Sequence, residues 1–476
     1  MISTKKIEFV HGFLEELDQA LRVLNPKKGL TFYQKNWLAF CLVGIWVTNS
    51  LCWSRFSRYS LGAYTAAASC WMFRRSGIFW EALLLASTNA IIKKYSITGG
   101  DLVIDDTDNP RSKSTSRISQ VYKIYDKKTG GYFMGQTIVF LVLVTDKVTI
   151  PVGFKFYQPD PKKTAWTKND NKLKKVGTPK SKRPPVPTLD PAFPNKIKIA
   201  IHLIEKFKKN FPTLKIRAII ADAAYSSAYF FEEIKRIYPE TQVITQLKSS
   251  QSVFFENKMV PVCTVFEGKS QKCSVSIRGL EKKNIEIAFN TLKVKAHGKK
   301  RLVIALKYEG EENYRYLVVS KKLWKATDVV SIYSLRWLVE VFIQDWKGYD
   351  GWGQLAMQRD VEGSFSGVIM SLLANHCLLF HPKQVYRIEN KLPLCTVGSL
   401  RESLKNESIL SCFYEILISD SPMDKFLSIQ KEFENHFKEK DTRKHFSGRE
   451  MSKVKRTQFY KKRTENLEPA YAYLFQ

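Results

Sequence analysis

The sequence has 476 residues, with 76 Lys and Arg against 45 Asp and Glu, a formal charge of +31. Hydrophobic residues make up 44%, too many for a disordered chain, and the length suits two or three domains with real cores. Such an excess of cations favours a polyanionic partner, nucleic acid before an anionic membrane surface.

A membrane-spanning reading is excluded by length. The longest apolar run, about residues 37–47, is far short of the ~20 residues a spanning helix needs. The first ten residues lack the apolar region of a signal peptide. The eight cysteines form no C-x-x-C pair and no zinc spacing, so they read as reduced thiols of a cytoplasmic protein.

In chain order, residues 5–95 read as a basic helical bundle. Phe9, Phe13, Leu14, Leu17 and Leu21 recur at helical spacing. Thr31 is placed to cap a second helix through Val47, and Ser60 a third through about Arg74. Trp80–Ile92 makes a fourth. From about 100 the pattern changes. Asp101–Asp105 is a short apolar strand, and Tyr132–Val144 with Val148–Tyr157 reads as a hairpin. Residues 161–187 hold nine Lys or Arg and one Asp without periodicity. They read as a long mobile loop. A helix over about 194–210, a strand at Ile216–Ala221, a helix at Ser227–Ile237 and a strand at Gln242–Leu247 follow. An antiparallel β insertion is expected over about 249–320, with strands including Val262–Phe266, Cys273–Arg278 and Tyr314–Val319. Helices resume from 326. A basic tract at 438–463 carries eleven Lys or Arg and three acids. With interleaved aromatics, both basic runs favour contact with phosphates.

Three constellations carry chemistry. Asp105-Asp106-Thr107-Asp108 stands at the end of an apolar strand, where carboxylates can hold a hard cation or simply make a turn. Asp222 ends a second apolar strand, as a helix cap or as a ligand at the carboxyl end of a buried strand. The third is Tyr333-x2-Arg336-x3-Glu340-x6-Lys347. On one continuous helix these four side chains fall within an arc of about 60°, opposite Leu335, Leu338, Val339, Phe342 and Trp346. An ordinary amphipathic helix with an Arg336–Glu340 pair explains the same geometry. Together, two strand-end carboxylates and one helical carboxylate are what a two-metal phosphoryl-transfer site needs. His376, in the apolar stretch Ile369–Phe380, reads as a hydrogen-bonded core histidine.

The Tyr333/Arg336/Glu340/Lys347 spacing resembles the Tyr-Arg-Glu-Lys motif of bacterial insertion-sequence DDE transposases. The Asp-Asp-Thr and Asp-x-Ala-Tyr elements match in the same order, over roughly residues 100–380. The resemblance implies an α/β fold with a ribonuclease H-like catalytic core and an inserted antiparallel β region. A helical DNA-binding domain at 1–98 would precede the catalytic domain at 99–380, and a helical basic region at 381–476 would follow it. It implies Asp106 (Asp105 as the fallback), Asp222 and Glu340 as catalytic residues holding two Mg²⁺ ions, with Mn²⁺ able to substitute. Tyr333, Arg336 and Lys347 become DNA contacts, and Tyr316 becomes a candidate platform for a flipped base, against the plainer reading of a packed strand tyrosine. The implied activity is cut-and-paste transposition, with endonuclease and strand-transfer steps on terminal inverted repeats and target DNA. The implied agent is a homodimer in a nucleoid-associated, cytoplasmic setting. A ribonuclease H-like structure-specific endonuclease and a non-catalytic DNA-binding repressor are the rival readings.

Overall fold

A computed structural model describes residues 7–437 apart from 62, 113–116, 279–281, 322 and 355–357. The basic tract at 438–463 lies outside the described residues.

The N-terminal segment is helical, as expected. Helix α1 (Glu8–Leu24) buries Val10, Phe13, Leu14, Leu17 and Leu21 at helical spacing. Helix α2 (Phe32–Thr48) starts in a capping box. The Gln34 N–H donates to Thr31 Oγ1 at 3.2 Å, and the Thr31 N–H donates to Gln34 Oε1 at 2.8 Å. Trp37 to Val47 of α2 are all buried, so this helix is apolar on every side and enclosed by its neighbours. The helix expected over Ser60–Arg74 starts six residues later, as α4 (Ala66–Arg75), and an unexpected short helix, α3 (Trp53–Tyr59), precedes it. Leu61 takes a left-handed φ of 51°, which no helix continues through, and Thr65 caps α4. Helix α5 (Trp80–Lys94) completes the group.

Strand β1 (Gly99–Pro110) is more than twice the length expected. Strand β2 (Tyr122–Tyr125) and the hairpin β3 (Tyr132–Val144) and β4 (Thr149–Tyr157) follow. The stretch expected to be a mobile loop instead contains helix α6 (Pro161–Lys175), capped by Asp160, whose Oδ1 accepts from the Lys162 N–H at 2.8 Å. Next come α7 (Lys196–Asn210), β5 (Lys215–Ala221), α8 (Ala228–Ile237) and β6 (Gln242–Leu247), as expected. The insertion holds β7 (Ser252–Phe255), β8 (Lys258–Pro261), α9 (Val262–Val265), β9 (Gln271–Ser276), β10 (Lys282–Val294), β11 (Lys299–Tyr308) and β12 (Arg315–Val319). The strand expected at Val262–Phe266 is thus a single helical turn, with Val262 and Val265 buried.

The central sheet runs β4-β3-β1-β5-β6. Its first three strands are an antiparallel meander, and β5 and β6 lie parallel to β1. Strand β12 pairs antiparallel with β6, then β11 and β10 follow, so the insertion extends the same sheet rather than forming its own. The architecture is the mixed α/β class expected.

The last described elements are α10 (Ala326–Ser334), α11 (Trp337–Tyr349), α12 (Asp360–Leu378), α13 (Pro382–Glu389), α14 (Val397–Leu417) and α15 (Pro422–Phe437). Regions expected to divide near residues 98 and 380 share one hydrophobic core, within a compact unit that extends to Pro422. Residues from Met423 form a second unit; its helix exposes Met423, Phe426 and Leu427. Among the described residues no single helix is long and apolar enough to cross a membrane, and all eight cysteines are free.

His376 is fully buried on α12, as its apolar surroundings suggested. Its Nδ1 lies 2.8 Å from Ser87 Oγ on α5 and its Nε2 3.0 Å from the Pro151 carbonyl on β4, so one ring ties three elements together. Burial pushes its pKa down to about 4. The unfolded chain therefore binds more protons than the folded one between about pH 6.5 and 4, so stability is lost as pH falls through that window. We expect the midpoint of thermal unfolding to drop across it, with a contribution of roughly 3 kcal/mol. His376→Gln should flatten that part of the profile, and an unchanged slope would assign the acid sensitivity to other groups.

Candidate active site

The acidic segment of β1 is placed by unequal pairing on its two sides. Strand β3 pairs with β1 from Asp101↔Val144 to Pro110↔Gly135, and this keeps the polar residues 105–110 extended. Pairing with β5 stops at Ile104↔Ala221. Asp105 and Asp106 therefore lie just beyond the last parallel pair, inside β1 rather than past its end. Asp222 follows β5 directly and its Oδ1 accepts from the Ala224 N–H at 2.8 Å. Two neighbouring parallel strands thus present carboxylates at the same end of the sheet.

Each carboxylate has a cation or a donor beside it. Asp105 Oδ2 accepts from Arg336 Nη1 at 3.0 Å, and Arg336 Nη2 also pairs with Glu340. Arg336 thereby joins β1 to the third predicted carboxylate. Asp106 pairs with Lys196 at the start of α7 and accepts from the Tyr225 hydroxyl at 3.2 Å. Burial pushes Asp105 up to about 6, against the pull of Arg336, and Asp222 and Asp106 add to the rise. Burial also raises Asp222, with Asp106 contributing. Tyr225 is raised well above the usual phenol range by burial and by the three aspartates. Asp105 and Asp222 are thus both held towards the neutral form, first by burial and then by the charge of the neighbouring aspartates.

The Tyr333–Lys347 segment does not lie on one helix. Helix α10 ends at Ser334 and α11 begins at Trp337; between them the Leu335, Arg336 and Leu338 N–H groups bond three residues back. This tightening shifts Tyr333 relative to the residues after it, yet Tyr333 stays beside Arg336 and the aspartates. Arg336 and Glu340 face β1. Tyr333 is 7% exposed, and its hydroxyl donates to Gln246 Oε1 at 3.2 Å. Burial pushes it up to about 12. Lys347 reaches further along β1, donating to the Asp108 carbonyl at 2.8 Å, and burial brings it down to about 8. On the opposite side Val339, Phe342 and Trp346 are buried, as the helical pattern required.

Tyr316 is 4% exposed, within β12 between Ala305 of β11 and Leu247 of β6, with its ring 6.2 Å from that of Phe266. Neighbouring strands and Phe266 enclose the ring, leaving no open face for a base. Trp337, which follows Arg336 in the chain, is an exposed aromatic, 42% exposed, with the Arg278 guanidinium 4.3 Å from its ring centroid. They line a cleft of about 640 Å³ with Tyr308 and Arg315. Sequence reasoning gave no role to Trp337, Lys196 or Tyr225. Nothing in the local pattern marks Lys196, which reaches Asp106 only through the fold.

The donors are all carboxylate oxygens, the class that suits Mg²⁺ or Mn²⁺. Among the described residues no three His, Cys, Asp or Glu side chains converge closely enough to hold a metal ion. Arg336 and Lys196 pair with the carboxylates instead. The chemistry of the site fits a divalent cation. Full convergence would require these two cations to give way.

Residues 74–264 match the family model of the DDE superfamily endonuclease, and residues 188–372 match that of the transposase DDE domain. The chain carries a DDE transposase domain. The two matches span β1, β5 and α11, and so include every carboxylate described above. Comparison with curated proteins finds no match. Among solved structures, a piggyBac transposase synaptic complex with hairpin DNA is similar at a TM-score of 0.40 and 11% identity, over 96% of this chain and 84% of that one. The NurA nuclease from Sulfolobus solfataricus is similar at 0.24 and 8%, over 64% and 86%. The DDE transposase domain makes the protein a transposase or endonuclease acting by phosphoryl transfer.

Proposed function

We propose that this transposase excises and inserts an insertion sequence by cut-and-paste transfer. The observation that carries the proposal is the meeting of Asp105, Asp106 and Asp222, at the ends of adjacent parallel strands, with the Arg336–Glu340 pair of α11. The order β4-β3-β1-β5-β6 supports reading the core as ribonuclease H-like. In this reading Asp106, Asp222 and Glu340 would hold two Mg²⁺ ions, with Mn²⁺ able to substitute. Bound there, the ions would supply polarisation of the scissile phosphodiester and of the attacking oxygen.

The chain's own residues do the rest. Arg336, bonded to both Asp105 and Glu340, sets the spacing between β1 and α11 and offers a guanidinium fork to a phosphate once a carboxylate turns away. Lys347, anchored on the Asp108 carbonyl, puts a second cation along the same strand. Tyr333, held by Gln246, backs Arg336 from the β6 side. Water first attacks at the element end and frees a 3′-OH. That first step is a hydrolysis that breaks the P–O3′ bond and leaves a 5′-phosphate; the freed hydroxyl then attacks the opposite strand or the target, a transesterification that exchanges one phosphodiester bond for another. Double-stranded terminal repeats and target DNA are the partners, a homodimer bridges the two ends, and the setting is the nucleoid of a bacterial cytoplasm.

The test is strand joining. A duplex carrying a pre-cut 3′-OH element end, incubated with the protein and plasmid in Mg²⁺, should become covalently joined, and EDTA should prevent it. Cleavage of uncut ends without joining would make the protein a structure-specific nuclease. Binding with neither reaction would make it a repressor.

A further inference from the structure

We infer that residues 160–195 form an ordered basic arm that grips duplex DNA by its phosphates beside the carboxylates, independently of base sequence. This rests on the DNA-processing reading above and names one of its contact surfaces.

The arm leaves and returns at the active end of the sheet. It departs from Tyr157, which pairs with Thr137, which in turn pairs with Asp108. It returns at Lys196, whose ammonium pairs with Asp106. Between these points α6 is about 22 Å long. Trp166, Asp170 and Leu173 form a narrow stripe at helical spacing, held against the returning chain. Trp166 Nε1 donates to the Pro184 carbonyl at 2.9 Å, and Arg183 pairs with Asp170 at 2.8 Å. Asp160 caps the helix and also accepts from the Asp190 N–H at 3.4 Å, closing the base of the arm.

Everything outside that stripe is lysine-rich. Eight lysines of the arm, from Lys162 to Lys182, are all exposed. The one acid inside α6, Asp170, is buried and already occupied by Arg183 and Lys174. A helix ringed with lysines, of which Lys174 is paired with Asp170, repels itself, and the stripe and caps oppose that repulsion. A polyanion along its length relieves that repulsion. Flexible ammonium groups on all sides suit phosphates rather than base edges, which call for planar forks at fixed positions.

The experiment uses the full chain in an Asp222→Ala background with EDTA, so binding is read without cleavage. Lys162, Lys168, Lys172 and Lys175 are changed to Gln together. A control changes the exposed Lys93, Lys209, Lys215 and Lys235, which lie towards the opposite end of the sheet, to Gln. Both variants should keep the parent's circular dichroism and melting midpoint, since these side chains point to solvent. Binding of an element-end duplex and of a scrambled duplex is measured over a salt series. The arm variant should lose about tenfold or more in affinity for both duplexes, and its log K against log salt slope should fall by about 0.9 per lost phosphate contact. The control should lose much less. Equal losses in both variants would reduce the arm to bulk charge. A loss confined to the element end would make it a sequence reader. Unchanged DNA binding with lost binding to anionic phosphatidylserine vesicles would assign it to membranes. Each of these outcomes overturns the inference. If the arm binds as expected but the unmutated chain joins no strands, the inference stands and the proposed transposition falls.

Discussion

Asp106→Ala, Asp222→Ala and Glu340→Ala should each bring Mg²⁺-dependent cleavage of an element-end duplex to background, while binding of that duplex in EDTA stays within about threefold of the parent. The reasoning starts from the sheet. Asp106 and Asp222 stand where β1 and β5 stop pairing, so neither side chain is needed to hold the strands together. Glu340 is on the first turn of α11, with its side chain 37% exposed and its one ion pair made to Arg336. Losing any of them removes an oxygen donor without opening a cavity in the core. Asp105→Asn separates the two adjacent aspartates. Asp105 is engaged with Arg336, so its amide variant should slow cleavage and leave it measurable. Complete loss on Asp105→Asn, with activity kept in Asp106→Ala, would move the first catalytic position back by one residue. Normal cleavage by Asp222→Ala would remove the whole assignment.

Trp346→Ala should cost about 3–5 kcal/mol of folding stability, the range for truncating a fully enclosed aromatic. The Trp346 ring lies 5.0 Å from that of Phe140 on β3, 6.3 Å from that of Phe342 and 5.2 Å from that of Trp352. It is the contact that presses α11, and with it Glu340, onto the sheet. Its indole nitrogen has no hydrogen-bond partner, so truncation strands no polar group and the loss is one of packing. Denaturant midpoints of the parent, Trp346→Ala and Trp346→Phe measure it, with Phe expected to restore most of the difference. A loss below about 1 kcal/mol would mean that the Arg336 bridges, not the aromatic stack, hold the helix in place.

What could be read in the sequence follows from where the physics is local. The apolar strands ending at Asp105 and Asp222 are legible because β-branched and aliphatic runs have few other fates. The Thr31 cap is legible because a capping box needs only four residues. The extension of β1 through Asp108 is not, because Asp and Asn favour turns and only pairing with β3, more than twenty residues later, overrides that preference. The break between α10 and α11 is hidden for a related reason. No Pro or Gly marks it, and the side-chain periodicity passes across it almost unbroken. Helix α6 is missed because its stripe is three residues wide and one of them is an aspartate, whose burial depends on Arg183. For Tyr316, strand alternation gives the strand but not which face is covered.

The tie between Ser87 and His376 spans 289 residues of chain. At the usual pace of synthesis, about 5–20 residues per second, the helices around Ser87 emerge from the ribosome roughly 15–60 s before the helix that must seal them. During that interval α2, apolar on all sides, has no complete shelter. We expect low soluble yield from fast overexpression, relieved by co-expressed chaperones; equal yield at slow and fast synthesis would show that the early helices hold without their late partner. A closure that waits on the last third of the chain ties the enclosure of α2 to complete synthesis, so a truncated chain would leave that helix uncovered.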